Sequence, residues 1–84
     1  MAVLWIAGIP IDAGDDELMD FLERYGFPLA DAVAWLGGDG SQPAALVTFE
    51  RMGEAKLREL ALRIDSVVWN DSRLHASVAD SRHM

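Results

Sequence analysis

The chain has no cysteine, which excludes disulfide frameworks, thiolate metal sites and cysteine nucleophiles together. Its two histidines are His75 and His83, the second almost at the end, so a Ser-His-Asp or Cys-His constellation finds no convincing base. No apolar run reaches the roughly 18 residues of a membrane span, and the amino terminus lacks the basic-then-apolar layout of a signal peptide. A soluble intracellular protein with no membrane partner is expected, nucleus and cytoplasm being indistinguishable. Basic residues are scarce: seven Lys and Arg stand against fourteen Asp and Glu, for a net charge of −7. Proteins that hold nucleic acid mainly by neutralising phosphates carry a basic patch, and none is visible here.

What is present suits one small domain. Eighty-four residues, 51% of them hydrophobic, allow a single core. An ordered part over about 2–79 and a frayed tail over 80–84 are expected. Residues 12–23 concentrate Asp12, Asp15, Asp16, Glu17, Asp20 and Glu23 without a base, whereas Arg51, Lys56, Arg58 and Arg63 are set against Glu50, Glu54 and Glu59. The acidic run reads as a solvated helix face.

Leu4-Trp5-Ile6-Ala7-Gly8-Ile9-Pro10 reads as a buried central strand, rich in branched and aromatic residues and closed where proline removes a backbone donor. Asp12 or Gly14 can cap a helix starting near Asp15, its first-turn carboxylates placed at the positive end of the helix dipole. Leu18, Phe21, Leu22 and Tyr25 form one apolar stripe, and Gly26 and Pro28 end the helix after about 11 residues. Asp31–Leu36 is a second strand, in which either Val33 and Trp35 or Ala32, Ala34 and Leu36 face inward; the larger pair fills a small core better. The glycines from Gly37 to Gly40 mark a hairpin turn. They lack the Lys-Ser/Thr and the following helix of a phosphate-binding loop.

Ala44–Phe49 is a third strand. A second helix from about Arg51 to Ile64 follows, with Leu57, Leu60, Ala61 and Ile64 as its stripe. Ser66–Trp69 reads as a short edge strand, Asn70-Asp71 as a turn, and Leu74–Val78 as the fourth main strand with Leu74, Ala76 and Val78 facing in. The order βαββαβ predicts a ferredoxin-like α+β fold, a four-stranded antiparallel sheet with two helices on one face. The first and third strands lie in the middle, and the opposite sheet face is open.

Over residues 2–79 the chain resembles an RNA recognition motif (RRM). Leu4–Pro10 stands where that family has its short signature strand and Gln42–Phe49 where it has the long one. Leu18, Leu22, Tyr25, Gly26 and Ala55 match helix positions. The resemblance implies bases stacked on an open sheet by one aromatic of the short signature and two of the long one, beside a leading base. Trp5 keeps the first; the others are Ala44 and Leu46, the basic position is Gln42, and the glycine after it is Pro43. Stacking contributes about 1–3 kcal/mol per base, so two missing platforms leave weak binding.

The match is best to quasi-RRM domains, which also lack sheet aromatics, begin with similar Gly-Leu/Ile-Pro strands, and in some members hold RNA with loops. Arg73 falls on their loop arginine; Leu74 and Ile11 stand where they have aromatics, and Trp5 and Ala7 where they have basic residues.

Strand alternation puts Trp5, Ala7, Leu46, Thr48, His75 and Ser77 on the open face, mixed and uncharged. Trp69, beside a turn, either covers the sheet end or makes an exposed contact. The expected binding residues are therefore Trp5, Ala7, Gln42, Leu46, Thr48, Trp69, Arg73 and His75. The resemblance implies single-stranded RNA as the partner, whereas the chemistry of the face suits another protein or a second copy. No catalysis, cofactor or metal is expected: small phosphatases of this class need an arginine after the first strand and metal chaperones a paired-cysteine loop, and Ile11-Asp12-Ala13-Gly14 supplies neither.

Overall fold

The computed structural model describes residues 2–37 and 43–79. Gln42, most of the glycine turn and the tail from Asp80 lie outside the described residues. The elements are β1 (Ala2–Ala7), α1 (Asp15–Arg24), β2 (Ala32–Leu36), β3 (Ala44–Phe49), α2 (Glu54–Ile64), β4 (Val68–Trp69), β5 (Ser72–Arg73) and β6 (His75–Ala79). Among the described residues they build a four-stranded antiparallel sheet in the order β2-β3-β1-β6 and a small β4-β5 hairpin. The central positions of β1 and β3 are those the sequence predicts.

The core is made by strand parity meeting helix stripes. Ala2, Leu4 and Ile6 from β1 and Ala45, Val47 and Phe49 from β3 are buried with Leu18, Phe21 and Leu22 of α1 and Leu57, Leu60, Ala61 and Ile64 of α2. Both helices thus lie on one side of the sheet. Each fully buried aliphatic side chain contributes about 1.5–3 kcal/mol through its removal from water. Val33 and Trp35 pack against this cluster, so the larger pair of β2 faces inward.

Several boundaries differ from expectation: β2 starts at Ala32 and the last strand runs His75–Ala79, and the expected edge strand Ser66–Trp69 is shortened to Val68–Trp69, which pairs with Ser72–Arg73 in a hairpin apart from the main sheet. β1 runs from Ala2 and ends at Ala7, before Pro10, because Gly8 turns the chain at φ 79°. Ile9 then donates its N–H to the Pro43 carbonyl at 3.2 Å and is fully buried. α2 begins at Glu54 rather than Arg51, with Gly53 in an extended conformation as its N-cap. α1 starts at Asp15 as its acidic first turn suggests, with Gly14 rather than Asp12 as the cap. Glu17 Oε1 accepts the Gly14 N–H at 3.0 Å, satisfying a donor that a helix start leaves without a partner.

Candidate nucleic-acid interface

The face opposite the helices is assembled from three registered rows. Antiparallel partners point to the same side of a sheet, so the register places Ala79, Val3, Thr48 and Ala32 in one row and Ser77, Trp5, Leu46 and Ala34 in the next. At the far end, His75 pairs with Ala7, and Ala44 with Leu36. No residue of these rows carries a formal charge with histidine neutral. Most are small, so among the described residues Trp5 is the one Trp, Tyr or Phe ring on the face, half-buried between Leu46 on one side and Ser77 on the other. The exposed carboxylates of α1 lie on the helical side, away from this surface.

Five of the expected residues, Trp5, Ala7, Leu46, Thr48 and His75, therefore share one surface. Arg73 is exposed at the end of it: a β-carbon on Gly8 would collide with the Arg73 carbonyl oxygen, so the end of β1 and the residue before Leu74 are in close approach. Leu74 itself is fully buried. Gln42 lies outside the described residues. Trp69 does not join the group. Its ring stacks on Phe21 of α1, centroids 4.6 Å apart and planes 20° apart, which puts it on the helical side.

Residues outside the expected set complete the face: Val3, Ala32, Ala34, Leu36, Ala44 and Ala79. Val3 and Ala79 follow from the same alternation as Trp5 and His75. The three from β2 lie here because Val33 and Trp35 turn inward, the Trp35 indole Nε1–H donating to Asp15 Oδ1 at the start of α1. A cleft of about 610 Å³ opens elsewhere, among Leu29, Arg51, Met52 and Lys56, and none of the expected residues lines it.

Solved structures share this fold. RRM3 of Pes4 superposes with a TM-score of 0.79 over 100% of this chain and 98% of that one, at 14% identity. The fold is that of an RNA recognition motif. RNA recognition domains 1 and 2 of Sex-lethal from Drosophila melanogaster match with a TM-score of 0.72 and 19% identity, over 98% of this chain and 52% of that one. The RRM of Rna15 with bound RNA (GU) matches with a TM-score of 0.70 and 13% identity, over 98% and 86%. No family model and no curated protein matches the sequence. Within the RRM fold, Trp5 occupies the open face of β1, while the β3 positions beside it, Ala44 and Leu46, carry no ring. Among the described residues no helix is long and apolar enough to cross a membrane.

Proposed function

We propose that this chain is a non-catalytic binding module that makes weak contact with single-stranded RNA through the open sheet face and the loops at its end. The observation that carries the reading is the position of Trp5, a lone ring in the middle row of an uncharged RRM-fold face. One base stacks on that indole. His75, Ser77 and Thr48 offer hydrogen-bonding groups to neighbouring bases, and Arg73 meets a phosphate at the sheet end. One ring contributes about 1–3 kcal/mol, and an acidic chain gains little from phosphates, so the affinity is micromolar or weaker with a shallow dependence on salt. An intracellular location goes with this role. The fold that this chain shares with the Rna15 RRM, whose structure holds RNA (GU), supports the reading.

A second reading is favoured by one observation: Leu46 stands directly across from Trp5, an apolar pair suited to anchoring a protein on the same face. A two-dimensional NMR titration with mixed single-stranded RNA at two salt concentrations separates the two. RNA contact shifts the Trp5 indole and leaves the indoles of Trp35 and Trp69 in place. An unmoved Trp5 removes the RNA reading, and capture of a protein partner that Trp5→Lys abolishes, with helical circular dichroism intact, establishes the other.

A further inference from the structure

The two edges of the sheet are finished differently. Along β6, the backbone N–H of Ala76 points outward and donates to Asp65 Oδ1 at 3.1 Å. Just before that strand, Leu74 donates to the Val67 carbonyl and accepts from the Ser66 N–H, both at 2.8 Å. The connection after α2 therefore covers this edge.

The outward direction of Ala76 fixes the hydrogen-bond parity of the whole sheet. Backbone groups of a strand alternate in direction, so the odd residues of β6 bond to Ala7, Trp5 and Val3, and the even residues of β1 bond to the odd residues of β3. The even residues of β3 then bond to Ala32, Ala34 and Leu36. What remains on the outer edge of β2 is the N–H and C=O of Val33 and of Trp35. At the start of the strand Asp31 is tied in, its N–H donating to Thr48 at 2.8 Å and its carboxylate accepting the Glu50 N–H at 2.7 Å. Beyond it, no element among the described residues pairs with this edge. The strand Ala-Val-Ala-Trp-Leu is short but contains no charged residue and no proline, two of the devices by which sheet edges deter pairing.

We propose that this edge takes the same edge of a second copy of the chain, antiparallel about a two-fold axis at Ala34. The strand is self-complementary in that register. Ala34 meets Ala34 of the other copy in a pair without mutual hydrogen bonds, where strands approach most closely and the smallest side chains fit best. Val33 and Trp35 meet across the axis as hydrogen-bonded pairs, and Ala32 meets Leu36, small against large. Every outward backbone group of the strand then has a partner, and no charged side chain of β2 is brought into the contact. The axis is perpendicular to the sheet, so both open faces lie on one side. The row of Trp5, Leu46 and Ala34 continues into the Ala34, Leu46 and Trp5 of the second copy, with the two indoles five strand spacings, or about 24 Å, apart. A contact this small is weak, and it strengthens with salt because two chains of charge −7 repel.

Sedimentation equilibrium of the protein without RNA tests this, independently of any RNA reading. The mass is expected to rise from 9.2 kDa towards twice that between micromolar and millimolar concentration, with concentration-dependent amide shifts at Val33 and Trp35. Ala34→Glu and Ala34→Lys each weaken association more than tenfold, and mixing the two restores it, because opposite charges then face each other across the axis. A single 9.2 kDa species at every concentration, shifts confined to β6 or to Trp5, or a mixture that stays monomeric overturns the proposal. Should either variant lose its circular dichroism, the wild-type amide pattern alone decides.

Discussion

Gly8 lies against the backbone carbonyl of Arg73, at a φ of 79° and with no space for a β-carbon. This approach joins the end of β1 to the segment that enters β6, so the same glycine ends a core strand and holds Arg73 at the end of the open face. Gly8→Ala is expected to cost about 1–2 kcal/mol from the left-handed conformation alone, with the collision adding to it. For a domain of this size that lowers Tm by about 8 °C or more. Gly8→Asn is the informative companion: asparagine tolerates positive φ but keeps the β-carbon, so thermal melts of the two variants should fall together. A melt in which Gly8→Asn matches the wild type would show that conformation and not close approach sets the requirement.

Trp69 belongs to the helical side, stacked on Phe21, which also meets Tyr25 at a centroid distance of 4.9 Å. The β4-β5 hairpin is held to α1 through this ring. Trp69→Ala should destabilise the fold by about 2 kcal/mol, below the loss of a fully buried aromatic because the indole is half-exposed. RNA affinity measured where both proteins are folded should be unchanged. A stable Trp69→Ala variant that has lost RNA binding would return this residue to the interface.

Trp35 and Asp15 tie the edge strand β2 to the first turn of α1. Replacing Trp35 by Phe keeps most of the apolar contact and removes the donor, at a cost of about 1 kcal/mol. Urea denaturation checks the magnitude. Asp15→Asn preserves an acceptor at the same place, so it should lose less than Trp35→Phe and should move the Trp35 indole proton resonance while leaving those of Trp5 and Trp69 unshifted.

The parts of the structure visible in the sequence are those set by local periodicity. Leu4 and Ile6 alternate with Trp5, and Leu57, Leu60, Ala61 and Ile64 recur at helical spacing, so the faces of β1 and α2 follow from order alone. The start of α2 did not, because a stripe fixes which side is buried and says nothing of where Gly53 leaves extended backbone. Trp69 was undecidable for a different reason: its partner Phe21 lies in another element, and no spacing rule connects them. β2 carries apolar residues on both faces, so its orientation rested on volume, and the contact of Trp35 with Asp15 agrees with the larger pair facing in.

The weakness expected of the RNA contact comes from the missing rings of β3, and that lack can be reversed. Leu46 is the half-buried cross-strand neighbour of Trp5, and Ala44 the partner of Leu36, on a face where both side chains point away from the core. A ring introduced there meets no helix, so Leu46→Phe and Ala44→Tyr should fold with stability within about 1 kcal/mol of the wild type. If single-stranded RNA is held on this face, each added ring supplies a further stacking platform next to the indole, worth about fivefold to 150-fold in affinity. Titration of mixed single-stranded RNA into the double variant reads this directly, with Trp5→Lys in the same background as the control that should cancel part of the gain. A protein partner fitted to Leu46 responds in the opposite direction, since a larger ring overfills the contact. The sign of the Leu46→Phe effect therefore distinguishes the two occupants of the face, and an unchanged RNA affinity in the double variant would place the RNA contact away from the sheet altogether.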